Sequence, residues 1–235
     1  PLVARQSRIG PSDLGLGKEV LADVVGEAYP VGRVDFEILD RHRADVDADF
    51  PVLLVDLRDL DPATLDAEQK RIHDEIVSGP RGKVEGPLRV WLTSAGLADK
   101  AQALGAFCRY GTSLPPRLSE LAILVTGAYW RAGFEWHVHA PIGVAAGLDP
   151  RAVEKIRVGA EPDLGDDGEK AVYAFSRELL ANRRVSDATY AFAEGILGPR
   201  GLVDLVGVLG YYGLISMTIN AFEVPVPPGA QEPFA

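Results

Sequence analysis

The sequence has a single cysteine among its 235 residues, Cys108. One cysteine excludes an internal disulfide, a Cys-x-x-Cys redox pair and a thiolate zinc site. The chain is also poor in basic residues, with 24 Lys and Arg against 34 Asp and Glu, which gives a net charge of −10. That charge disfavours binding to nucleic acid and to anionic membranes. No charged-then-apolar leader opens the chain at Pro1, so we expect an intracellular, cytoplasmic protein.

Strand signals are almost missing from the sequence, and residues 51–55 are the only short apolar run that resembles a strand. Helical periodicity dominates the rest of the chain. We therefore predict an all-α protein with an irregular N-terminal arm over residues 1–56. A helical domain is predicted over residues 57–228, followed by a C-terminal tail over 229–235.

Two features of the helical pattern concern the core. Leu97, Ala101, Leu104 and Cys108 recur at helical spacing, which predicts an amphipathic helix with the thiol in the core. Residues 202–222 carry Asp204 as their only charge and are long enough to cross a bilayer. No basic cluster flanks this segment to orient it in a membrane.

Three glycines in the last helix favour a soluble interpretation. Gly207, Gly210 and Gly213 follow one another at steps of three, which predicts close packing against another helix. Three polar side chains, Ser216, Thr218 and Asn220, lie in the same segment. We therefore predict a buried central helix with no membrane contact.

Two neighbouring helices carry the residues that could perform chemistry. In the first, Glu120 directly precedes five apolar residues, so its carboxylate should point along an apolar sector. A carboxylate there needs a partner or a raised pKa. In the second, Glu135 and His139 are four residues apart and share a helix face. Two carboxylates and an imidazole on adjacent antiparallel helices could transfer protons near neutral pH.

Simpler interpretations of the same residues remain open at this point. Glu135 and His139 could form an exposed pair on the helix surface. Glu120 could make a structural salt bridge with Arg117 or Arg131. Glu120, Glu135 and His139, with His137, also have suitable ligand types for a metal, although their spacing matches no strong metal motif.

Three segments together resemble the carboxymuconolactone decarboxylase family, whose superfamily includes the AhpD-type alkylhydroperoxidases. They are residues 107–111, residues 114–124, with the pattern Arg-Leu-x-Glu-Leu-Ala, and residues 135–141, with Glu-Trp-x-x-His-Ala. The resemblance extends from about residue 60 to residue 225. It implies an AhpD-like helical bundle built on a central helical hairpin and assembled as a homo-oligomer, a trimer or hexamer, with sites near subunit boundaries.

The peroxidase branch of this superfamily has a Glu twelve residues before a Cys-x-His-Cys-x-x-x-His motif. Starting from Glu120, the motif positions fall on Ala132, Phe134, Glu135 and His139. Both thiols are missing, so we do not expect thiol peroxidase activity. Glu135 in place of a cysteine resembles the decarboxylase branch.

The resemblance leads to a set of site hypotheses. The catalytic residues would be Glu120, Glu135 and His139, with His139 as proton donor tuned by Glu135, and Glu120 orienting the imidazole or shuttling its proton. Arg117 would anchor a substrate carboxylate through its planar guanidinium. The remaining candidates for substrate binding are Tyr110, Trp136, His137, Tyr212 and Asn220.

The leading functional hypothesis is a cofactor-independent lyase that decarboxylates a small anionic lactone or an aromatic-degradation intermediate. Isomerisation or lactone opening would need the same acid and base without loss of CO2. The alternatives are a non-enzymatic, oligomeric ligand-binding protein and a metal-assisted hydrolase or oxygenase. The expected partner is a small anionic substrate, and neither nucleic acid nor a membrane is expected.

Overall fold

The computed structural model describes residues 60–235, which contain eight α-helices and no β-strand. The arm predicted over residues 1–56 and the strand-like run 51–55 lie outside the described residues. A short 3₁₀ turn at Pro62–Thr64 precedes the helices. They are α1 (Ala67–Ser78), α2 (Pro87–Trp91), α3 (Ala95–Tyr110), α4 (Pro116–Trp130), α5 (Gly133–Ala145), α6 (Pro150–Arg157), α7 (Asp167–Asn182) and α8 (Asp187–Ala221). The all-α prediction is confirmed for this part of the chain.

Helices α4 and α5 form a tight helical hairpin at the centre of the fold. Ten consecutive residues of α4, 118–127, are buried, as expected for a helix that is apolar all round. Arg131 ends α4 in a left-handed conformation with φ of 51°, and the chain reverses there into α5. The reversal brings the faces that carry Glu120 and His139 together.

Helix α8 packs along this hairpin and ties distant parts of the chain to it. It is interrupted at Gly198, where φ is 70° and ψ is 170°. The Asp204 carboxylate accepts hydrogen bonds from the Ser113 backbone N–H at 2.7 Å and from its hydroxyl at 2.6 Å, next to the start of α4. The Trp91 indole donates to the Thr218 hydroxyl at 2.9 Å, which fixes α2 against α8.

The core surface of α3 differs from the predicted one. Cys108 and Ala101 are buried as predicted, but Leu97 and Leu104 are 44% and 49% exposed. The buried side of α3 consists of small residues, Ala98, Ala101, Gly105 and Cys108. The error has a physical cause: the helix turns its small side chains inward because α3 lies close to its neighbours.

The glycines of α8 also differ from their predicted role. A Cβ atom built on Gly207 or Gly210 would have no neighbour within 4 Å, so neither glycine is needed for packing within residues 60–235. Val203 and Val206 on the same side are 72% and 47% exposed. We call Val203, Val206, Gly207 and Gly210 the outer stripe of α8.

Helix α8 is the one described helix that is long and apolar enough to cross a membrane. Two thirds of its most apolar window, 67%, is buried against other helices, including Leu205, Val208, Tyr212 and Ile215. This packing is that of a core helix, in agreement with the predicted buried central helix.

Gly86 lies directly against the Phe134 ring of the central hairpin, where there is no room for a side chain. Its φ is 56°, and a Cβ atom there would overlap the ring of Phe134 in α5. We expect Gly86→Ala to lower the free energy of unfolding by about 1–2 kcal/mol for the positive φ and about 1–3 kcal/mol more for the overlap. Urea denaturation measures the change. Gly82→Ala is the matched control, because Gly82 has φ of 71° and open space around it. Equal losses in the two variants would contradict the packing argument.

Candidate functional site

Glu120, Glu135 and His139 form a buried, hydrogen-bonded triad. The Nδ1 atom of His139 lies 2.7 Å from Glu120 Oε2, and its Nε2 atom lies 2.9 Å from Glu135 Oε1. The side chains are only 3% exposed for His139, 8% for Glu120 and 7% for Glu135. The interpretation of Glu135 and His139 as an exposed surface pair is therefore wrong.

The hairpin geometry explains why the triad forms. Glu135 and His139 are one turn apart on α5, so both can face α4. Gly143 follows one turn further along the same face. A Cβ atom on Gly143 would lie 3.0 Å from a Leu124 methyl group and 3.6 Å from the Glu120 Cβ atom. The absence of a side chain there lets α5 approach α4 closely enough for the imidazole to reach Glu120.

The two carboxylates determine the charge of the imidazole. Burial by itself lowers the pKa of His139, but the charges and hydrogen bonds of Glu135 and Glu120 outweigh burial and raise this pKa to about 9. At pH 7 His139 is therefore an imidazolium that donates both N–H groups to carboxylates. The triad therefore places one buried cation between two buried carboxyl groups.

One side of the triad opens onto a cavity of about 290 Å³. Glu135 and His139 line this cavity, whereas Glu120 lies behind the imidazole. The apolar part of the wall comes from α2, α5 and α8, namely Leu88, Phe134, Val138, Ile142 and Ile215. Three basic side chains also line it, namely Arg81, Lys83 and Arg109, together with Glu85, which pairs with Lys83 at 2.8 Å. We call this space the triad cavity. Its volume suits a small metabolite.

Tyr212 lies beside the imidazole at the cavity wall. The ring centroids of Tyr212 and His139 are 5.2 Å apart in an edge-to-face arrangement. Burial raises the pKa of Tyr212 well above its usual value, so the phenol stays protonated. Its hydroxyl makes no hydrogen bond to any of residues 60–235, so the O–H is available to a ligand.

Several residues predicted for substrate binding have different positions. Tyr110 and Tyr212 line the triad cavity. Trp136 and His137 line a separate cavity of about 420 Å³ on the other side of α5. The Trp136 ring packs there against Phe234, with centroids 5.5 Å apart. Asn220 is exposed, and its amide donates to the Trp130 carbonyl at 2.7 Å. Trp136, His137 and Asn220 therefore do not line the triad cavity.

Arg117 does not have the position predicted for the anchor. Its guanidinium pairs with Glu169 of α7 and with Asp166, the residue that caps α7. It is absent from the wall of the triad cavity. The proposed salt bridge between Arg117 and Glu120 is also wrong, because Glu120 pairs with His139 and Arg117 is already neutralised by two carboxylates.

Sequence reasoning missed three basic residues that do line the cavity, Arg81, Lys83 and Arg109. Arg81 comes from the connection between α1 and α2, and Arg109 from the last turn of α3, where its guanidinium lies 5.4 Å from the centre of the Tyr110 ring. For Arg109, the sequence offered one indication, because this residue lies in segment 107–111, which carries part of the family resemblance. Arg81 lies in irregular chain, and no periodic pattern points to it.

The described residues also bear on the metal hypothesis. Within residues 60–235 no group of three His, Cys, Asp or Glu side chains has the arrangement of a metal site. Both ring nitrogens of His139 face carboxylates, and His137 points to the other side of α5. In this arrangement the imidazole offers no lone pair to a metal ion.

The comparisons with known proteins support the fold. No family model and no curated protein matches the sequence. Among solved structures, the chain is similar to an uncharacterized peroxidase-related protein from Silicibacter sp. TM1040, with a TM-score of 0.58 and 16% sequence identity. The match covers 71% of this chain and 89% of that one. The chain has an AhpD-like helical fold. This agrees with the fold predicted from the sequence and carries no information about activity.

Proposed function

We propose that this protein is a cofactor-independent lyase that decarboxylates a small organic acid by acid–base catalysis in the triad cavity. The observation that carries the proposal is the buried Glu120–His139–Glu135 triad, which opens onto a cavity with basic and apolar walls. Buried ionisable groups with a shifted pKa in a cleft are typical of catalytic sites.

The triad can supply the proton that decarboxylation requires. When the bond to the departing carboxyl group breaks, CO2 leaves and the electron pair delocalises into a conjugated carbonyl of the substrate. Glu135 then takes a proton from Nε2 of His139 and delivers it to the carbanion carbon. Glu120 stabilises the imidazolium before this transfer, and a proton from solvent restores His139 after product release.

Tyr212 can stabilise the charge that develops on the substrate carbonyl. Its protonated hydroxyl is a donor with no partner among residues 60–235, and it lies at the wall beside His139. A donor placed at a developing oxyanion in a water-poor cavity lowers the barrier more than it would in water. The apolar wall from α5 and α8 adds a setting that disfavours the charged, departing carboxylate.

A panel of unsaturated lactone carboxylates and small aromatic acids tests the proposal. We expect CO2 release from at least one of them, with loss of this activity in His139→Gln. Conversion without CO2 release would instead indicate isomerisation or lactone opening by the same acid and base. No conversion of any compound by wild-type protein would contradict the proposal.

Cys108 is not expected to take part in the reaction. It is fully buried in α3, it does not line the triad cavity, and burial raises the pKa of its thiol to about 11. A thiol in this state is a poor nucleophile at neutral pH. We expect Cys108→Ala to retain CO2 release within twofold, and the native thiol to react with a disulfide reagent much more slowly than the urea-unfolded chain. A large loss of activity in this variant would point to thiol chemistry.

A ligand-binding protein without catalytic activity is the alternative that a specific observation favours. Both ring nitrogens of His139 are satisfied by carboxylates, as they would be in an ion triad that only holds α4 and α5 together. In that case Glu135→Gln would change stability but leave every ligand unconverted in wild type and variant alike. Assembly as a trimer or hexamer remains a proposal that sedimentation can test.

A further inference from the structure

Arg81 is half-buried in the wall of the triad cavity, and its guanidinium has one hydrogen-bond acceptor among residues 60–235. Its Nη2 atom donates to the Tyr211 hydroxyl at 3.1 Å. Its Nε atom is buried and has no hydrogen-bond partner in the described part of the chain. Buried donors nearly always have an acceptor, and each exception needs an explanation.

Arg81 also forms no ion pair with any of the residues 60–235. Arg117 faces two carboxylates, and Lys83 in the same cavity wall pairs with Glu85 at 2.8 Å. Arg81 instead meets the Tyr211 phenol, which remains neutral because burial raises its pKa to about 12. Tyr211 therefore positions the guanidinium without cancelling its charge.

The chain leaves space for this arrangement in α3. A Cβ atom on Gly105 would overlap both the Tyr211 hydroxyl and the Arg81 guanidinium. Any side chain at this position would push Arg81 away from Tyr211. The glycine thus permits a fixed guanidinium at the cavity wall.

We propose that Arg81 anchors the retained carboxylate of the ligand and thereby selects small organic acids with an apolar carbon body. A carboxylate in the cavity supplies the acceptor that the guanidinium lacks, and its planar geometry matches the guanidinium fork. The carbon body lies against Phe134, Val138 and Ile142, which the same cavity exposes. The binding of the acid by Arg81 does not depend on the proposed function. Only the later conversion of the bound acid rests on it.

Benzoate and benzamide form a matched pair of probes, because they have nearly the same shape and differ in charge. Isothermal titration calorimetry with wild-type protein should give a Kd for benzoate at least tenfold lower than for benzamide. Arg81→Met should weaken benzoate binding by about tenfold or more, since hydrogen bonds to charged groups are the strong ones. Its affinity for benzamide should not change.

Two further variants control for charge and for folding. Arg184→Met removes one positive charge from an exposed position outside the triad cavity, and benzoate affinity should not change. Tyr211→Phe keeps Arg81 but removes the hydroxyl that holds it, so benzoate affinity should fall severalfold. Tyr211→Phe also provides the test if Arg81→Met does not fold. Equal affinity for both probes in wild type, or unchanged benzoate binding in whichever of these two cavity variants folds, would overturn the proposal.

The binding test separates this inference from the proposed function. Benzoate binding needs no proton transfer, so its dependence on Arg81 should persist even if no compound of the panel is converted. If the anchor is wrong and the lyase proposal is right, Arg81→Met will convert the panel substrate with an unchanged KM.

Discussion

Substitution of His139 by glutamine is expected to lower kcat by about a hundredfold to ten-thousandfold, the usual contribution of a general acid or base. The imidazolium of His139 is the proton store of the triad, since Glu120 and Glu135 hold it between them. Glutamine keeps hydrogen-bonding capacity but cannot donate a proton to Glu135 and recover it. The measurement is the rate of CO2 release at saturating substrate.

Two controls make this result specific for proton transfer. His73→Gln replaces a partly exposed histidine that pairs with Asp74 on α1, and its kcat should equal that of wild type. His139→Gln leaves two buried carboxylates without their cation, which costs about 3–5 kcal/mol of stability. The folded fraction must therefore be measured under assay conditions. A fully folded His139→Gln protein with wild-type kcat would rule out His139 as proton donor.

The stability of the wild-type protein is expected to fall as pH rises from 6.5 through 9. The pKa of His139 is raised from 6.5 in the unfolded chain to about 9 in the folded protein, so the folded state binds the proton more tightly. This contribution is fully present below pH 6.5 and is lost as pH passes through 9. Its size is about 3 kcal/mol. Burial also raises the pKa values of the Cys108 thiol and of the Tyr211 and Tyr212 phenols. These groups change the free energy of unfolding only at higher pH, where they lose their protons.

A double variant should reverse the sign of this pH dependence. In Glu120→Gln/Glu135→Gln the charges that raise the pKa of His139 are gone, and burial alone lowers it. The folded state then excludes the proton, so stability rises as pH approaches 6.5 from below and is constant above it. Urea denaturation at a series of pH values measures both slopes. Parallel curves for the two proteins would show that the carboxylates do not control the imidazole.

The central hairpin and its triad could be predicted from the sequence because the decisive information is local. Five apolar residues after Glu120 predict a buried helix, and the spacing of Glu135 and His139 predicts a shared face. A short connection makes the two helices antiparallel neighbours. These three facts are enough to bring the side chains together, and the structure places them within hydrogen-bonding distance.

The basic side of the cavity could not be predicted because it depends on contacts between distant segments. Arg117 was chosen for its proximity to Glu120 in sequence, but Asp166 and Glu169 of a later segment pair with it. Arg81 reaches the cavity through a contact with Tyr211, which is 130 residues away. Neither pairing leaves a periodic signal in the chain. Trp136 was predicted to bind substrate, but its ring packs against Phe234 of the C-terminal segment instead.

The outer stripe of α8 and Tyr212 belong to one continuous helical segment, which begins after the break at Gly198. Val206 is six residues from Tyr212, which is about 9 Å along the helix axis. An α-helical segment of this length moves as one rigid unit. A protein surface that packed against the exposed valines would therefore bear on the same helical segment that holds the Tyr212 phenol beside the imidazole.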